Sequence, residues 1–252
     1  MGSLIVLPTY QEADNIAVVL RRVRAAVPAA DVLVVDDGSP DGTADLAEAC
    51  GAELGRIQLL RRAGKGGLGS AYRDGMRWGL EHGFDILVEM DADLSHDPAD
   101  LPRLLAAVED GADLAIGSRY VPGGSIPAWS WFRRVLSRQG NRYAAAVLRL
   151  PIIDATSGFR AYRASTLAAV GLEGVRADGY GFQIEMVYRV VGGGGQVVEL
   201  PISFTERTLG RSKMSSRIVV EALLLVTWWG LRDRVRPRHA PGSPRGARTL
   251  RN

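Results

Sequence analysis

Cysteine is almost absent from this sequence: among 252 residues only Cys50 carries a thiol. Without a second thiol no internal disulfide can form, which excludes a small cross-linked secreted scaffold and fits a reducing compartment. Histidine is scarce too, and His82, His96 and His239 are too scattered to build a zinc site with that single cysteine. Ser95 and His96 are neighbours in sequence, the wrong spacing for a nucleophile and its base. No apolar run reaches the roughly 20 residues that a bilayer-spanning helix needs. The nearest, Ile218 to Leu231, is shorter and contains Glu221, so it is expected to lie on a surface and not to span. Met1 to Pro8 lacks the basic start, long apolar stretch and small-residue cleavage site of a signal peptide, and a cytoplasmic protein is expected. No internal repeat is present, which excludes a solenoid.

Acidic residues are nearly missing from the C-terminal tail. From Arg232 to Asn252 seven arginines face only Asp233, a net of +6, so with +3 for the whole chain the remainder carries −3. A basic stretch with Pro and Gly and without apolar anchors, here 236–252, is expected to be disordered and drawn to anionic surfaces. Anionic lipid, nucleic acid or solubility alone would each account for it.

What remains is enough for one α/β domain with appendages. Strand-like runs at Leu4 to Leu7, Val32 to Val35, Ile57 to Leu60, Ile86 to Met90 and Leu114 to Ile116 alternate with helical spacing, as in Ile16 to Val27 and Leu101 to Val108. That alternation predicts an open, mostly parallel sheet with helices on both faces, whose ligands bind beyond the carboxyl ends of the strands. The polar clusters fall at those ends: Pro8 to Glu12, Asp36 to Ser39, Asp91 to Asp93, and Gly117 to Arg119. After Tyr120 the alternation stops, and a helical stretch from about Trp131 to Leu150 follows. The body is therefore read as 1–235, with 1–120 serving the nucleotide and 121–235, including interfacial C-terminal helices, serving the acceptor side.

Asp91-Ala92-Asp93 follows directly on an apolar strand. Two carboxylates one residue apart on a rigid strand end can face one divalent ion, which would offset the charge that builds on a departing diphosphate. A turn or helix cap is the plainer reading of an isolated pair; two further acid-rich strand ends shift the balance. At the second strand end Asp41 is read as the helix cap and Asp37 as a carboxylate able to accept two hydrogen bonds from a base edge such as guanine. Glu12 suits either job, and Tyr10 is placed to stack on the base. Gly64 to Gly69 fits a dinucleotide fingerprint, yet it follows the third strand and not the first. It is read instead as bringing backbone and Lys65 close to a donor. Arg133, Ser137 and Asn141 recur at i, i+4 and i+8 beside Trp129, Trp131 and Phe132, a pattern of a solvated helix or of one lying at a membrane and holding a phosphate. Arg119, Arg207 and Lys213 are further candidates for phosphate oxygens. Glu185 is a possible base, with an i, i+4 pairing to Arg189 the simpler role.

Six segments carry a resemblance: 7–12 (Leu-Pro-Thr-Tyr-Gln-Glu), 34–43 (Val-Val-Asp-Asp-Gly-Ser-Pro-Asp-Gly-Thr), 90–98 (Met-Asp-Ala-Asp-Leu-Ser-His-Asp-Pro), 117–120 (Gly-Ser-Arg-Tyr), 156–160 (Thr-Ser-Gly-Phe-Arg) and 207–214. Together they resemble the dolichol- or polyprenol-phosphate mannose synthases, GT-A enzymes of glycosyltransferase family 2. The resemblance implies transfer of mannose from GDP-mannose to a polyprenyl phosphate, with inversion and with Mg²⁺ or Mn²⁺ as cofactor. It implies that Pro8, Tyr10, Glu12, Val35 and Asp37 hold the nucleoside, and that Asp91, Ala92 and Asp93 serve donor and metal. It further implies that Arg119, Arg133 and Ser137 lie near the acceptor phosphate, and that Arg207 and Lys213 act on the donor phosphates. Some relatives have Gln where this chain has Ser95, so a metal ligand there becomes a water-mediated contact. Many relatives also carry C-terminal membrane spans. Here attachment at the cytoplasmic face is expected through the Trp228-Trp229 segment, the basic tail or a separate membrane-embedded partner, with no nucleic-acid partner.

Overall fold

The computed structural model describes residues 1–206 and 216–235. Of the candidate residues above, Arg207, Lys213 and the tail 236–252 lie outside the described residues.

The five apolar runs form β1 (Ser3–Thr9), β2 (Asp31–Asp36), β3 (Ile57–Arg61), β4 (Ile86–Glu89) and β5 (Leu114–Ser118). Between them lie α1 (Ala13–Ala26), α2 (Thr43–Leu54), α3 (Leu68–Glu81) and α4 (Leu101–Glu109). The remainder is α5 (Trp131–Leu148), β6 (Arg160–Arg163), α6 (Ala164–Val170), α7 (Gly179–Gly192), β7 (Val197–Pro201) and α8 (Ser216–Val235). One seven-stranded sheet runs β3-β2-β1-β4-β6-β5-β7. It is parallel except at β6, which pairs antiparallel with both β4 and β5.

Both faces of the sheet are covered, which is why its central strands read as unbroken apolar runs. Successive β1 residues go to opposite cores: Leu4 and Val6 to the layer with Tyr72, Met76 and Phe182, Ile5 and Leu7 to the layer with Ile16, Leu20 and Leu104. From β1 the chain builds outward in both directions, to β2 on one side and β4 on the other. That reversal opens a crevice at the carboxyl ends of β1, β2 and β4.

Sequence alternation stops at Tyr120, but the sheet does not. β6 enters between β4 and β5, and β7 closes the edge beside β5, so the second half of the chain completes the layer that carries the first half's polar clusters. No helix among the described residues is long and apolar enough to cross a membrane.

Candidate active site

Among the residues expected to hold a nucleoside, Pro8 and Val35 are register partners on β1 and β2. Pro8 lies beyond the part of β1 that pairs with β4, where its missing N–H is tolerated. Asp36 is fully engaged within the fold, accepting from Thr9 Oγ1 at 2.9 Å, Ser39 N at 2.8 Å and Ser39 Oγ at 2.6 Å. Asp41 accepts from the first amides of two helices, Thr43 N at 3.1 Å and Ala13 N at 3.2 Å. The residue in the cap position of α2 is Gly42, so Asp41 acts from one residue earlier. Glu12 accepts from Asn15 Nδ2 at 2.9 Å.

Asp37 is not waiting unpaired for a base. Its carboxylate is ion-paired to Arg62, which also bonds Ser70 and reaches Asp74 at 3.0 Å, and it accepts from Gly66 N at 3.1 Å. Lys65 Nζ sits 4.3 Å from the centre of the Tyr10 ring, on the surface expected to take the base.

The glycine-rich segment also has a structural role that its sequence did not show. Gly69 N donates to Asp178 Oδ1 at 2.9 Å, and a Cβ on Gly67 or Gly69 would lie 2.5 or 2.6 Å from that carboxylate. Glycine is required here because a side chain of the protein itself, from the loop before α7, packs into the bend. With amides of Gly66 and Gly69 given to Asp37 and Asp178, the segment ties the start of α3 to the loop before α7, while Lys65 stays beside Tyr10.

The Asp91 loop leaves β4 at its carboxyl end. Tyr72 Oη donates to Asp91 Oδ1 at 3.0 Å, and Ser95 N to Asp93 Oδ1 at 3.0 Å. Burial and the charges of Asp91 and Glu89 push the Tyr72 phenol well above its ordinary range, so it remains a donor. Leu94, between the two bonded positions, has φ of +62°, a sparsely populated conformation for a branched side chain. Thr205 fastens the bend, its amide donating to Ser95 O at 3.1 Å and its hydroxyl to Leu94 O at 3.1 Å. His96 is packed 5.0 Å from the Phe159 ring, and burial lowers its pKa to about 4, leaving it neutral.

These residues fit a hard divalent ion. Two carboxylates and a hydroxyl supply the oxygen donors that Mg²⁺ or Mn²⁺ prefers. Ser95 Oγ is buried with no hydrogen-bond partner among the described residues. No group of three His, Cys, Asp or Glu among the described residues could hold an ion alone, so water or oxygens of a bound substrate would complete the coordination.

The residues expected to lie near an acceptor phosphate, Arg119, Arg133 and Ser137, gather around α5 and the end of β5. Arg119 is 5 % exposed and forms a two-pronged pair with the wholly buried Asp154, Nε to Oδ2 at 2.8 Å and Nη2 to Oδ1 at 2.7 Å. Burial opposes both charges, but their attraction and hydrogen bonds hold the Asp154 carboxyl below its ordinary value and the guanidinium above its own. Arg119 Nη2 also donates to Thr156 Oγ1 at 2.7 Å, which accepts from Asn141 Nδ2 at 3.1 Å. Tyr120 Oη donates to Ser137 Oγ at 2.7 Å. Arg133 lies 3.9 Å over the Trp129 ring and pairs with Glu206 at 3.1 Å. Arg119, Arg133 and Ser137 are thus brought into one neighbourhood by β5 and α5, and Arg133 and Ser137 line a pocket of about 90 Å³. Asn141, Thr156, Tyr143 and Tyr180 also border it, and Leu136 of α5, Ile184 of α7, and Leu223 and Val226 of α8 form an apolar side.

Glu185 takes the simpler of its two readings. It accepts from Arg189 Nη2 at 2.7 Å and from the amides of Arg176 and Ala177 at 3.2 Å, and is 5 % exposed. Asp154, Arg62 and Asp178 are the residues that sequence reasoning missed. Only Asp154 had a local signal, an acid two residues before the Thr156 to Arg160 segment.

A mostly parallel sheet with one antiparallel insertion and acidic loops at its carboxyl edge defines a glycosyltransferase of the GT-A class. The glycosyl transferase family 2 model matches residues 4–171, and the chain belongs to that family. It is 52% identical to an undecaprenyl-phosphate mannosyltransferase of Micrococcus luteus over 93% of this chain and 96% of the relative. It is 50% identical to a polyprenol monophosphomannose synthase of Mycolicibacterium smegmatis over 92% of this chain and 88% of the relative. Among solved structures, a mannosyltransferase from Pyrobaculum calidifontis in complex with GDP-Man and Mn²⁺ shares the fold. Its TM-score is 0.58 at 17% identity, covering 92% of this chain and 72% of that one.

Proposed function

We propose that this chain transfers mannose from GDP-mannose to a polyprenyl phosphate, with inversion, at the cytoplasmic face of a membrane. The observation that carries this reading is the pocket between α5, α7 and α8, in which Arg133 and Ser137 share walls with Leu136, Ile184, Leu223 and Val226. An acceptor with an anionic head and a hydrocarbon chain matches that division; a water-soluble sugar acceptor does not. The large exposed apolar side chains support it, since Trp131 and Phe132 on α5 are 71% and 68% exposed, and Leu224 and Trp228 on α8 are 66% and 63%. Aromatic and basic residues on paired helices suit the headgroup region of a bilayer. The named relatives agree in substrate class.

In this reading Pro8, Tyr10, Glu12, Val35 and Asp37 surround the nucleoside, and Arg62 sets the position of the Asp37 carboxylate. Asp91, Asp93 and Ser95 hold a Mg²⁺ or Mn²⁺ ion, with Ala92 between them close to the donor. The ion, when bound, neutralises charge on the departing diphosphate. Arg133 and Ser137 hold the acceptor phosphate, with Arg119 fixed by Asp154 at their side, and Arg207 and Lys213 act on the donor phosphates. A phosphate monoester is already ionised near neutrality, its second pKa being about 6, so its oxygen can attack the anomeric carbon without a general base. The engagement of Glu185 by Arg189 and two amides fits a reaction that asks nothing of it.

The test is incubation with radiolabelled GDP-mannose or UDP-glucose and a short polyprenyl phosphate, followed by solvent extraction. Label from GDP-mannose should enter the lipid fraction as a β-linked product. Transfer from UDP-glucose alone would replace the mannosyl reading by a glucosyl one.

A further inference from the structure

Beneath the Asp91 loop lies a buried polar layer that the proposed mechanism leaves unused. Glu89 on β4 and Arg160 on β6 are register partners across the antiparallel pair. Arg160 donates to three carbonyls, Ala155 and Gln183 at 2.7 Å each and Ser157 at 2.7 Å, which locks the loop before β6 to the second turn of α7. Gln183 therefore enters the layer from a fixed backbone.

The side chain of Gln183 is anomalous. The residue is 3% exposed; its NH₂ faces the Glu89 carboxylate, while Oε1 has no hydrogen-bond donor among the described residues. A buried primary amide carries two donors and an acceptor, and folded proteins rarely leave such groups unmatched. Glu89 stands beside it, its carboxylate shared between the Gln183 amide and the Tyr162 hydroxyl, so it has no proton to offer Oε1 when ionised. The amide is close to the donor loop as well. A Cβ built on Gly158 would lie 3.6 Å from Gln183 Nε2 and 3.8 Å from Asp91 Oδ2, so both groups border the space that this glycine leaves open. Gly158 and Asp91 are half-buried, which gives that space an outlet to the crevice.

We infer that Gln183 is a specificity-determining residue that reads hydroxyl groups of the transferred hexose. The inference rests on the donor reading above. An amide offers a donor and an acceptor side by side, and neighbouring sugar hydroxyls each offer the complement. A diphosphate would leave Oε1 without a donor, and the base is bound at the ends of β1 and β2. The hexose must sit between the Asp91 loop and the acceptor cluster, and α7 borders both: Gln183 is next to Asp91 across Gly158, and Ile184 lines the acceptor pocket.

The experiment compares wild type with Gln183→Met, which keeps the bulk and removes the hydrogen bonds, and with Gln183→Asn, which keeps the amide but withdraws it. Calorimetric affinities for GDP and GDP-mannose are measured with Mn²⁺, together with kcat/KM for GDP-mannose against its C2 epimer, GDP-glucose. GDP affinity should stay within about twofold, while the extra affinity for GDP-mannose and the preference over the epimer fall by about tenfold or more. Should the Met variant fail to fold, by circular dichroism, the Asn variant decides on the same measurements. A folded variant that keeps the wild-type preference overturns the inference and leaves Gln183 as a partner of Glu89 only. A wild-type chain with no preference for GDP-mannose over GDP removes the donor reading, and the inference with it.

Discussion

Replacing Asp154 by Asn probes the acceptor end through a residue that touches no substrate. The carboxylate is wholly buried and takes three hydrogen bonds from Arg119: Nε at 2.8 Å, Nη2 at 2.7 Å and the backbone amide at 3.0 Å. Asn retains one acceptor oxygen but points an NH₂ at one of those donors and leaves the guanidinium without its counter-ion. Removing one partner of a buried pair costs about 3–5 kcal/mol, a large share of the roughly 5–15 kcal/mol that holds a domain together. At roughly 2–4 °C per kcal/mol for a chain of this size, Tm should fall by about 10 °C. The double variant Arg119→Met with Asp154→Leu should lose less than Asp154→Asn alone, because no unpaired charge stays behind. The pH dependence has a definite sign. A carboxyl held below its ordinary value near 3.8 contributes stability above that value and loses it as pH falls through the lowered native one, so wild type and Asp154→Asn should differ fully at pH 7 and converge only in strong acid. Urea denaturation at both pH values and kinetics with varied polyprenyl phosphate are the assays, and KM for the acceptor should rise. An Asp154→Asn protein within about 0.5 kcal/mol of wild type, with unchanged acceptor KM, would refute the ion pair as the device that sets Arg119.

Asp93→Asn should reduce turnover by a factor on the order of a thousand, while circular dichroism and Tm remain near wild type because Asn still offers an oxygen to Ser95 N. Trp131→Ser combined with Trp228→Ser should weaken vesicle flotation by roughly tenfold or more without loss of activity on a detergent-dispersed short acceptor, since both rings are largely exposed. Complete flotation of the purified wild-type chain with protein-free vesicles would remove the need for a separate membrane partner. Asp178→Ala should destabilise by about 1–3 kcal/mol in urea, because Gly69 N loses its acceptor while the nucleoside residues are untouched.

The first five strands were legible because a strand covered on both faces is a continuous apolar run, and their polar ends marked the crevice. β6 was not, since Arg160-Ala161-Tyr162-Arg163 carries a cation at each end and is buried only by virtue of Glu89 and three carbonyls supplied from elsewhere. The same long-range logic hid the partners of the candidate residues. Arg119 and Asp37 could be picked out by their place at strand ends, but Asp154 lies 35 residues from Arg119, and Arg62 lies 25 residues from Asp37. The glycine-rich segment was half legible for a related reason: the pattern reports that something packs closely against the backbone, and only the fold shows that Asp178 does so at Gly67 and Gly69.

The most direct measurement is organic-phase label from GDP-mannose and a short polyprenyl phosphate, using chelator-stripped enzyme with and without added Mg²⁺ or Mn²⁺. The metal reading predicts product only with the cation, and turnover lower by a factor on the order of a thousand for Asp93→Asn whatever the cation concentration. Full transfer by the stripped enzyme, or cation-dependent consumption of GDP-mannose with no label in the lipid, would contradict it.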